Sequence, residues 1–349
     1  MLNFAAGAMS LECEYCGHTT PVPQSDEDIR ELDYSQHLRN LADREPTDEV
    51  KAVTCNGCGA VLVKPDGLDA FACPYCDQNI VATAISKRPL RPKSLLPFKI
   101  PRNSAQEAFK QWIASRWFAP SGLKKYARSS SKLIGMYMPH WTYDCRTTTY
   151  YTGERGEHYW EDEEYTTTEN GKTVTKTRRV QKTAWYPCSG VVGRAFDDVL
   201  VSASRSLPDD LVIELEPWDL KSLTPYKDEY LTGFQSESYQ IDLDSGFETA
   251  KDIMEPRIRQ DIRSDIGGDE QQIHTMKTSY AHVTFKLILL PVWISSYRYR
   301  DKVYRFLVNA RTGEVIGERP WSWIKIIAAC VVGAAAVATI AFLYIQYNG

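Results

Sequence analysis

Three features predict an α+β fold. Three C-x-x-C pairs stand in the first 76 residues, aromatic and β-branched runs dominate the middle, and Ile326 to Ile345 are twenty uncharged residues close to the C-terminus. They divide the chain into a half zinc ribbon with an acidic helix (1–50), a complete ribbon (51–86), a linker (87–97), a β-rich body with a few helices (98–320) and one C-terminal transmembrane helix (324–346). A length of 349 residues accommodates two or three domains. The formal charge of −4 is small and mixed, which leaves no electrostatic footprint for nucleic acid. Nine cysteines, six of them in C-x-x-C spacing, fit reduced thiols holding metal rather than a secreted disulfide framework.

The opening MLNFAAGAMS lacks the basic start of a signal peptide. Next comes Cys13-Glu-Tyr-Cys16-Gly17-His18, a knuckle without an upstream partner. An internal repeat accounts for it: shifted by sixty residues, VLVKPDGLDAFACPYC falls on MLNFAAGAMSLECEYC without a gap. On this register Met1 matches Val61, so the first knuckle is expected immediately upstream of the present start. Cys13 and Cys16 are then ligands of a second zinc. The alternative is a degenerate repeat that has lost its metal, with Cys13 and Cys16 free or joined by outside ligands such as His18. Ser25 to Leu41 reads as a helix with Asp26, Glu27 and Asp28 in its first turn and Tyr34, Leu38 and Leu41 along one face.

Cys55-Asn-Gly-Cys58 and Cys73-Pro-Tyr-Cys76 flank fourteen residues that include the turn signal Lys64-Pro-Asp-Gly67. Two such knuckles on a hairpin place four thiolates around tetrahedral zinc. Four protein ligands leave no position for water, so the Zn2+ held by Cys55, Cys58, Cys73 and Cys76 is structural rather than catalytic. A glutaredoxin-like reading of CPYC requires a helix after the motif, whereas the β-branched run Ile80 to Ile85 follows. The proline-rich, basic KRPLRPKSLLP (87–97) reads as a linker.

Ser104-Ala-Gln-Glu107 reads as a capping box opening a helix with Phe109, Trp112 and Ile113 on one face. Leu133 to Tyr151 and Thr284 to Tyr299 are strand-like, and each contains Pro-x-Trp (Pro139/Trp141, Pro291/Trp293) before a tyrosine-rich run, which suggests two related sheet segments. Leu287 to Trp293 is too short, and too near Lys286, for a second membrane span. Glu161 to Val180 reads as a solvated hairpin turned at Asn170-Gly171, with Glu169 facing Lys172, Glu163 facing Arg178 and Asp162 facing Arg179. Gly246 to Gly268 reads as a helix with Ala250, Ile253, Met254, Ile258, Ile262 and Ile266 on one stripe and Pro256 as a kink or restart. Tyr304 to Ile316 reads as a hairpin turned at Arg311-Thr-Gly313.

At about 1.5 Å per residue, the terminal apolar run spans roughly 30 Å, the hydrocarbon thickness of a bilayer. Trp321 and Trp323 precede it and Tyr344 and Tyr347 close it, at depths favoured by amphipathic rings. Arg319 and Lys325 flank only its N-terminal end, which puts everything before Trp321 in the cytoplasm and makes the chain a single-pass, tail-anchored protein of the cell (inner) membrane.

No enzyme motif emerges. Gly171-Lys172-Thr173 imitates the end of a phosphate loop, but the glycine required five positions earlier is Thr166. The six histidines lack zinc-protease spacing, and no nucleophile elbow is present. His140 and Cys145 beside Trp141 are the candidates for a polar pocket, with a core histidine as the plainer reading. Asp197-Asp198 and Asp209-Asp210 read as surface acids.

These residues resemble a bacterial membrane-anchored zinc-ribbon family, in Leu96-Pro97-Phe98, Tyr137-Met-Pro-His-Trp141, Tyr151-Thr-Gly-Glu-Arg155-Gly156, Tyr230-Leu-Thr-Gly-Phe234, Leu290-Pro-Val-Trp293 and Asn309-Ala-Arg-Thr-Gly313-Glu-Val. Its members are labelled TFIIB-type zinc ribbon proteins or primosomal protein N′ (replication factor Y)-like. The missing first knuckle is this chain's departure from the pattern. The resemblance implies two ribbons, a terminal span, and protein partners among SPFH (flotillin-like) and phage-shock-type membrane proteins. The expected function is a non-enzymatic adaptor that recruits protein partners at the cytoplasmic face, in envelope stress or membrane organisation. The alternative, a membrane-tethered nucleic-acid-binding ribbon linked to replication, lacks a helicase motor. Its ribbon also offers only Lys51 and Lys64 against Asp66, Asp69 and Asp77.

Overall fold

The computed structural model describes residues 2–23, 29–40, 50–64, 70–81, 85–87, 90–120, 133–169, 172–299 and 302–348. The N-terminal strands are β1 (Leu2–Ala5), β2 (Ser10–Cys13), β3 (Thr19–Pro21) and β4 (Leu32–Asp33), followed by helix α1 (Tyr34–Asn40). The ribbon region contributes β5 (Val50–Thr54), β6 (Val61–Val63), β7 (Ala70–Ala72), β8 (Asn79–Val81) and β9 (Ile85–Lys87). The body runs through β10 (Ser94–Leu95), α2 (Arg102–Ser115), β11 (Ile134–Glu169), β12 (Lys172–Ser202), α3 (Asp209–Glu214), β13 (Thr224–Pro225) and β14 (Gln235–Ser236). It continues with α4 (Leu243–Ile266), β15 (Glu270–Tyr299), β16 (Lys302–Asn309) and β17 (Val315–Gly317), and α5 (Trp323–Asn348) closes the chain.

β11 and β15 pair antiparallel along nearly their whole shared length, and β12, β16, β10 and β14 join them in one nine-stranded sheet. Around Tyr137 to Tyr143 and Phe285 to Ile294 both faces are covered, so the sequence there is a continuous apolar run rather than an alternation. The strand period still sorts the side chains. Tyr137, Leu289, Trp293 and Phe306 face α2 and the N-terminal strands, with Trp141, Tyr143, Phe285 and Leu287 beside them under α4. Met136, Met138, Val292, Ile294 and Leu307 face the four-cysteine ribbon on the other side.

The body is an internal duplication. Its halves are β10–α2–β11–β12 and β14–α4–β15–β16, each a short strand, a helix and a hairpin. Leu95 of β10 pairs parallel with Leu289 of β15, and Ser236 of β14 pairs parallel with Tyr137 of β11, so each short strand lies beside the long strand of the other half. The tertiary bonds repeat as well. Trp141 Nε1 donates to Ile241 O (2.9 Å), and its counterpart Trp293 Nε1 donates to Ile100 O (2.8 Å). Ala203 N donates to Pro139 O (3.0 Å) as Ala310 N donates to Pro291 O (3.1 Å). Glu107–Lys110 on α2 recurs as Glu248–Lys251 on α4. A pseudo-two-fold axis through the Met138–Leu290 pair relates the halves. The two Pro-x-Trp segments are thus neighbours in one sheet.

Several sequence expectations change in detail. The 104–107 capping box is not made: α2 starts at Arg102 behind Pro101, with no side-chain cap. Proline at the boundary presets φ and has no N–H to satisfy. The helix expected over 25–41 is the shorter α1, preceded by β4, which pairs with Thr284–Phe285; the acidic residues Asp26 to Asp28 lie outside the described residues. On α4 the buried stripe runs through Leu243, Phe247, Ala250, Met254, Ile258, Ile262 and Ile266, so Ile253, one position off it, is exposed; Asp242 caps the helix through Ser245 N (2.8 Å), which adds the turn that carries Leu243. Pro256 lies within α4, which continues through it as one helix. Leu95 and Leu96, read as linker, are fully buried. The hairpin is much longer than Glu161–Val180, yet Glu169–Lys172, Glu163–Arg178 and Asp162–Arg179 are paired as expected. Its Asn170-Gly171 turn, and most of the turn Lys64–Gly67, lie outside the described residues.

The duplication sets a stability prediction. Trp141→Phe and Trp293→Phe each leave one carbonyl without its donor, which costs about 1–3 kcal/mol. The melting temperature of the purified protein should fall by similar amounts for both variants. A loss confined to one of them would contradict the equivalence of the halves.

Candidate metal centre

Three knuckles share one backbone form. In each, the fifth residue's N–H returns to the first cysteine's carbonyl: Gly17 to Cys13 (2.9 Å), Gly59 to Cys55 (2.8 Å) and Asp77 to Cys73 (2.8 Å). The first cysteine's own N–H donates to the carbonyl of the residue after, namely His18, Ala60 and Gln78. The closing residue has positive φ each time (67°, 78° and 59°), which glycine adopts freely and aspartate tolerates. These bonds aim backbone and sulfur inward at one point.

For Cys55, Cys58, Cys73 and Cys76 that point is shared. All four sulfurs lie within 4.8 Å of one another, with Cys55–Cys76 and Cys58–Cys73 both at 3.6 Å. A tetrahedral zinc with about 2.3 Å bonds has sulfur–sulfur edges of about 3.8 Å, so the donor set fits Zn2+ closely. The charge balance calls for a cation too. Hydrogen bonding from Cys73 pulls the Cys58 thiol down to about 5, while the Cys58 sulfur pushes Cys73 up and burial pushes Cys76 up to about 11. Bound zinc supplies the positive charge that lets four thiolates share this space. Cys13 and Cys16 have the knuckle but no second pair among the described residues; Cys13 is half-buried and Cys16 exposed. β1, β2 and β3 lie where the sixty-residue shift of β6, β7 and β8 puts them.

The ribbon is set into the body rather than hung from it. Cys55, Cys73 and Tyr75 are buried in the same cluster as Met136, Met138 and Val292. Ser238 N donates to Val61 O (3.0 Å), Arg305 Nε to Tyr75 O (2.9 Å), and Tyr75 Oη to Glu237 Oε2 (2.6 Å). Glu237 is a buried carboxylate whose pKa burial pushes up. Donors from Ser206, Tyr75, Ser204 and Gln240 oppose that shift. In the other half of the duplication its place is taken by Leu96. A carboxylate there is specific to the half that receives the ribbon.

The remaining sequence candidates fall in the core. His140 is buried with Nδ1 3.2 Å from Met138 O, and Cys145 lies 3.5 Å from the Met254 sulfur. One cluster was not expected: Asp198, read from sequence as a surface acid, is partly buried in it. Buried Lys286 is paired with Glu31 (2.9 Å) and Asp198 (2.8 Å), and Asp144 accepts from Asp198 N (2.7 Å). Burial and the neighbouring Glu31 push Asp144 up to about 7, whereas a hydrogen bond from Asp144 brings Glu31 down to about 2. A bulge between Tyr143 and Cys145 assembles these acids, and no spacing rule foretells it. Lys286 fills the space between them, so the cluster is an internal clasp holding β4 to the sheet.

At the far end, Trp323–Tyr344 is long and apolar enough to cross a membrane, with a mean hydropathy of 2.6 and none of it buried against the body. Its entry is tied down: Lys325 Nζ donates to Ala119 O (2.8 Å) and Trp117 O (3.1 Å), and Ser322 N to Phe118 O (2.8 Å).

Comparison with known proteins agrees with this site. The profile of the FORGETTER1 second zinc ribbon domain matches residues 51–84. The uncharacterized protein YdjG of Bacillus subtilis (strain 168) is 28% identical over 246 residues, 68% of this chain and 67% of that protein. No solved structure matches. The chain thus carries a structural zinc ribbon and, among the described residues, one candidate membrane helix.

Two outcomes follow. The purified protein should hold zinc that Cys73→Ser removes, and the melting temperature should then fall by about 10 °C or more; unchanged melting would contradict the inset ribbon. Burial lowers His140 from 6.5 to about 4. The unfolded state therefore takes up a proton first as pH falls below 6.5, and the associated stability, complete above that pH, is lost towards pH 4. His140→Gln should remove up to about 1.4 kcal/mol per pH unit of that dependence. Identical pH profiles for the two proteins would contradict it.

Proposed function

We propose that the chain is a non-enzymatic, tail-anchored adaptor of the inner membrane that faces the cytoplasm and recruits protein partners. The observation that carries this reading is the contrast between its ends. The ribbon's zinc site is consumed by packing, while two features project from a body tied directly to the apolar helix. One is the Cys13–Cys16 knuckle, with Tyr15 92% exposed. The other is the outer part of the β11–β12 hairpin: β15 stops pairing with β11 at Gly156, and beyond it two strands run on alone to Glu169 and Lys172. Trp160 and Tyr159 are exposed on this arm, and its strands carry opposite charge. Arg319 and Lys325 on the near side of the helix support the cytoplasmic orientation.

Cys13 and Cys16 serve in this reading as a second metal half-site completed by ligands outside the knuckle. The resemblance to the bacterial zinc-ribbon family supports SPFH-like or phage-shock-type membrane proteins as the partners. Burial of His140 and Cys145 in the core supports the non-enzymatic part, and the ribbon's shortage of basic residues weighs against the nucleic-acid alternative.

The test is affinity purification of the full-length protein from its own cells, in mild detergent with nuclease, after alkaline carbonate extraction has confirmed membrane insertion. The expected result is nuclease-resistant recovery of SPFH or phage-shock-type proteins that is lost on Tyr15→Ala or removal of residues 161–180. Recovery of only replication or RNA-processing proteins, vanishing with nuclease, would overturn the adaptor reading.

A further inference from the structure

Where α5 leaves the body, a cleft of about 390 Å³ opens between the end of α2, the end of α3 and β17. This volume lies within the roughly 300–1,000 Å³ of small-molecule sites. It is lined by Trp112, Arg116, Glu214, Glu314 and Arg319 along with the residues of β17. Two cations and two carboxylates face one space, and among the described residues no ion pair joins them. Arg116 lies over the Trp112 ring (4.9 Å) and Arg319 over Trp321 (4.2 Å). Arg116 Nε is buried without a hydrogen-bond partner among the described residues.

The position of the cleft fixes its depth. Arg116 adjoins the turn Trp117–Ala119, whose carbonyls hold Lys325 and Ser322 at the start of α5. Trp117, Trp321 and Trp323 are all exposed around this junction, as indole rings are at the headgroup level. If α5 spans a membrane, the cleft opens at the plane of the lipid phosphates.

We propose that this cleft binds the headgroup of a zwitterionic phospholipid with a primary amine, a phosphoethanolamine. Arg116 and Arg319 take the phosphate, for which the planar guanidinium is suited. Glu214 and Glu314 take the ammonium, which has three N–H donors. An anionic lipid meets the two carboxylates without a compensating charge. A choline headgroup carries positive charge but no N–H to give them. The four-charge lining therefore selects among lipids, beyond the anchoring that α5 provides to any bilayer. The proposal rests on the membrane reading of α5.

Native mass spectrometry of the full-length protein in detergent, incubated with equimolar phosphatidylethanolamine, phosphatidylcholine and phosphatidylglycerol, tests it. The expected result is retention of phosphatidylethanolamine about tenfold above the other two, the equivalent of one charge-assisted hydrogen bond. Arg116→Gln with Arg319→Gln should abolish that retention. Glu214→Gln with Glu314→Gln should shift preference to phosphatidylglycerol. Wild-type zinc content and melting temperature in both variants would confirm their fold. Equal retention of the three lipids, or selectivity unchanged in both double variants, overturns the proposal. Release of the protein by carbonate would instead refute the anchor on which it rests.

Discussion

The pairing of β11 with β15 about Met138 and Leu290 is the constraint from which the rest of the molecule follows. These strands lie at the sheet's centre and are covered on both faces, so their backbone groups have no water to turn to and must bond to each other. The period of two then assigns each face a task. The odd-numbered side chains from Tyr137 to Tyr143 and from Phe285 to Trp293 bury the two equivalent helices, and the even-numbered ones at Met136, Met138, Val292 and Ile294 bury the ribbon.

The zinc centre is accordingly a part of the body's core. A ribbon of a few short strands has too little apolar surface to fold alone, which is why metal supplies its stability. Here it also rests on the sheet through Tyr75, whose hydroxyl meets Glu237 and whose carbonyl accepts from Arg305. Placing a carboxylate where the equivalent half has Leu96 exchanges apolar packing for a polar lock of defined geometry. Four donors surround Glu237 because a buried carboxylate is costly without them. What projects from this compact unit is a knuckle, an arm and the start of the apolar helix.

How legible this was from sequence varied with the range of the interaction. The zinc ligands Cys55, Cys58, Cys73 and Cys76 could be read because their spacing is a local geometric requirement. The hairpin register could be read because Asn170-Gly171 and the facing charges specify it pair by pair. The apolar helix followed from composition alone. Only Pro-x-Trp betrayed the duplication. Its strongest evidence, the matched bonds of Trp141 to Ile241 and Trp293 to Ile100, joins residues about 100 and 193 positions apart. The inset of the ribbon and the clasp of Lys286 with Glu31 and Asp198 were hidden for the same reason, since each depends on a tertiary approach or a bulge. The false capping box at Ser104 shows a local signal overruled by a proline three residues earlier.

Hydrogen–deuterium exchange on the full-length protein before and after zinc chelation tests the central claim, that the metal centre is built into the body. Protection should be lost in residues 50–81 and, with them, in the central strands at 134–140 and 288–294. Loss confined to 50–81, with the central strands as protected as before, would contradict the account.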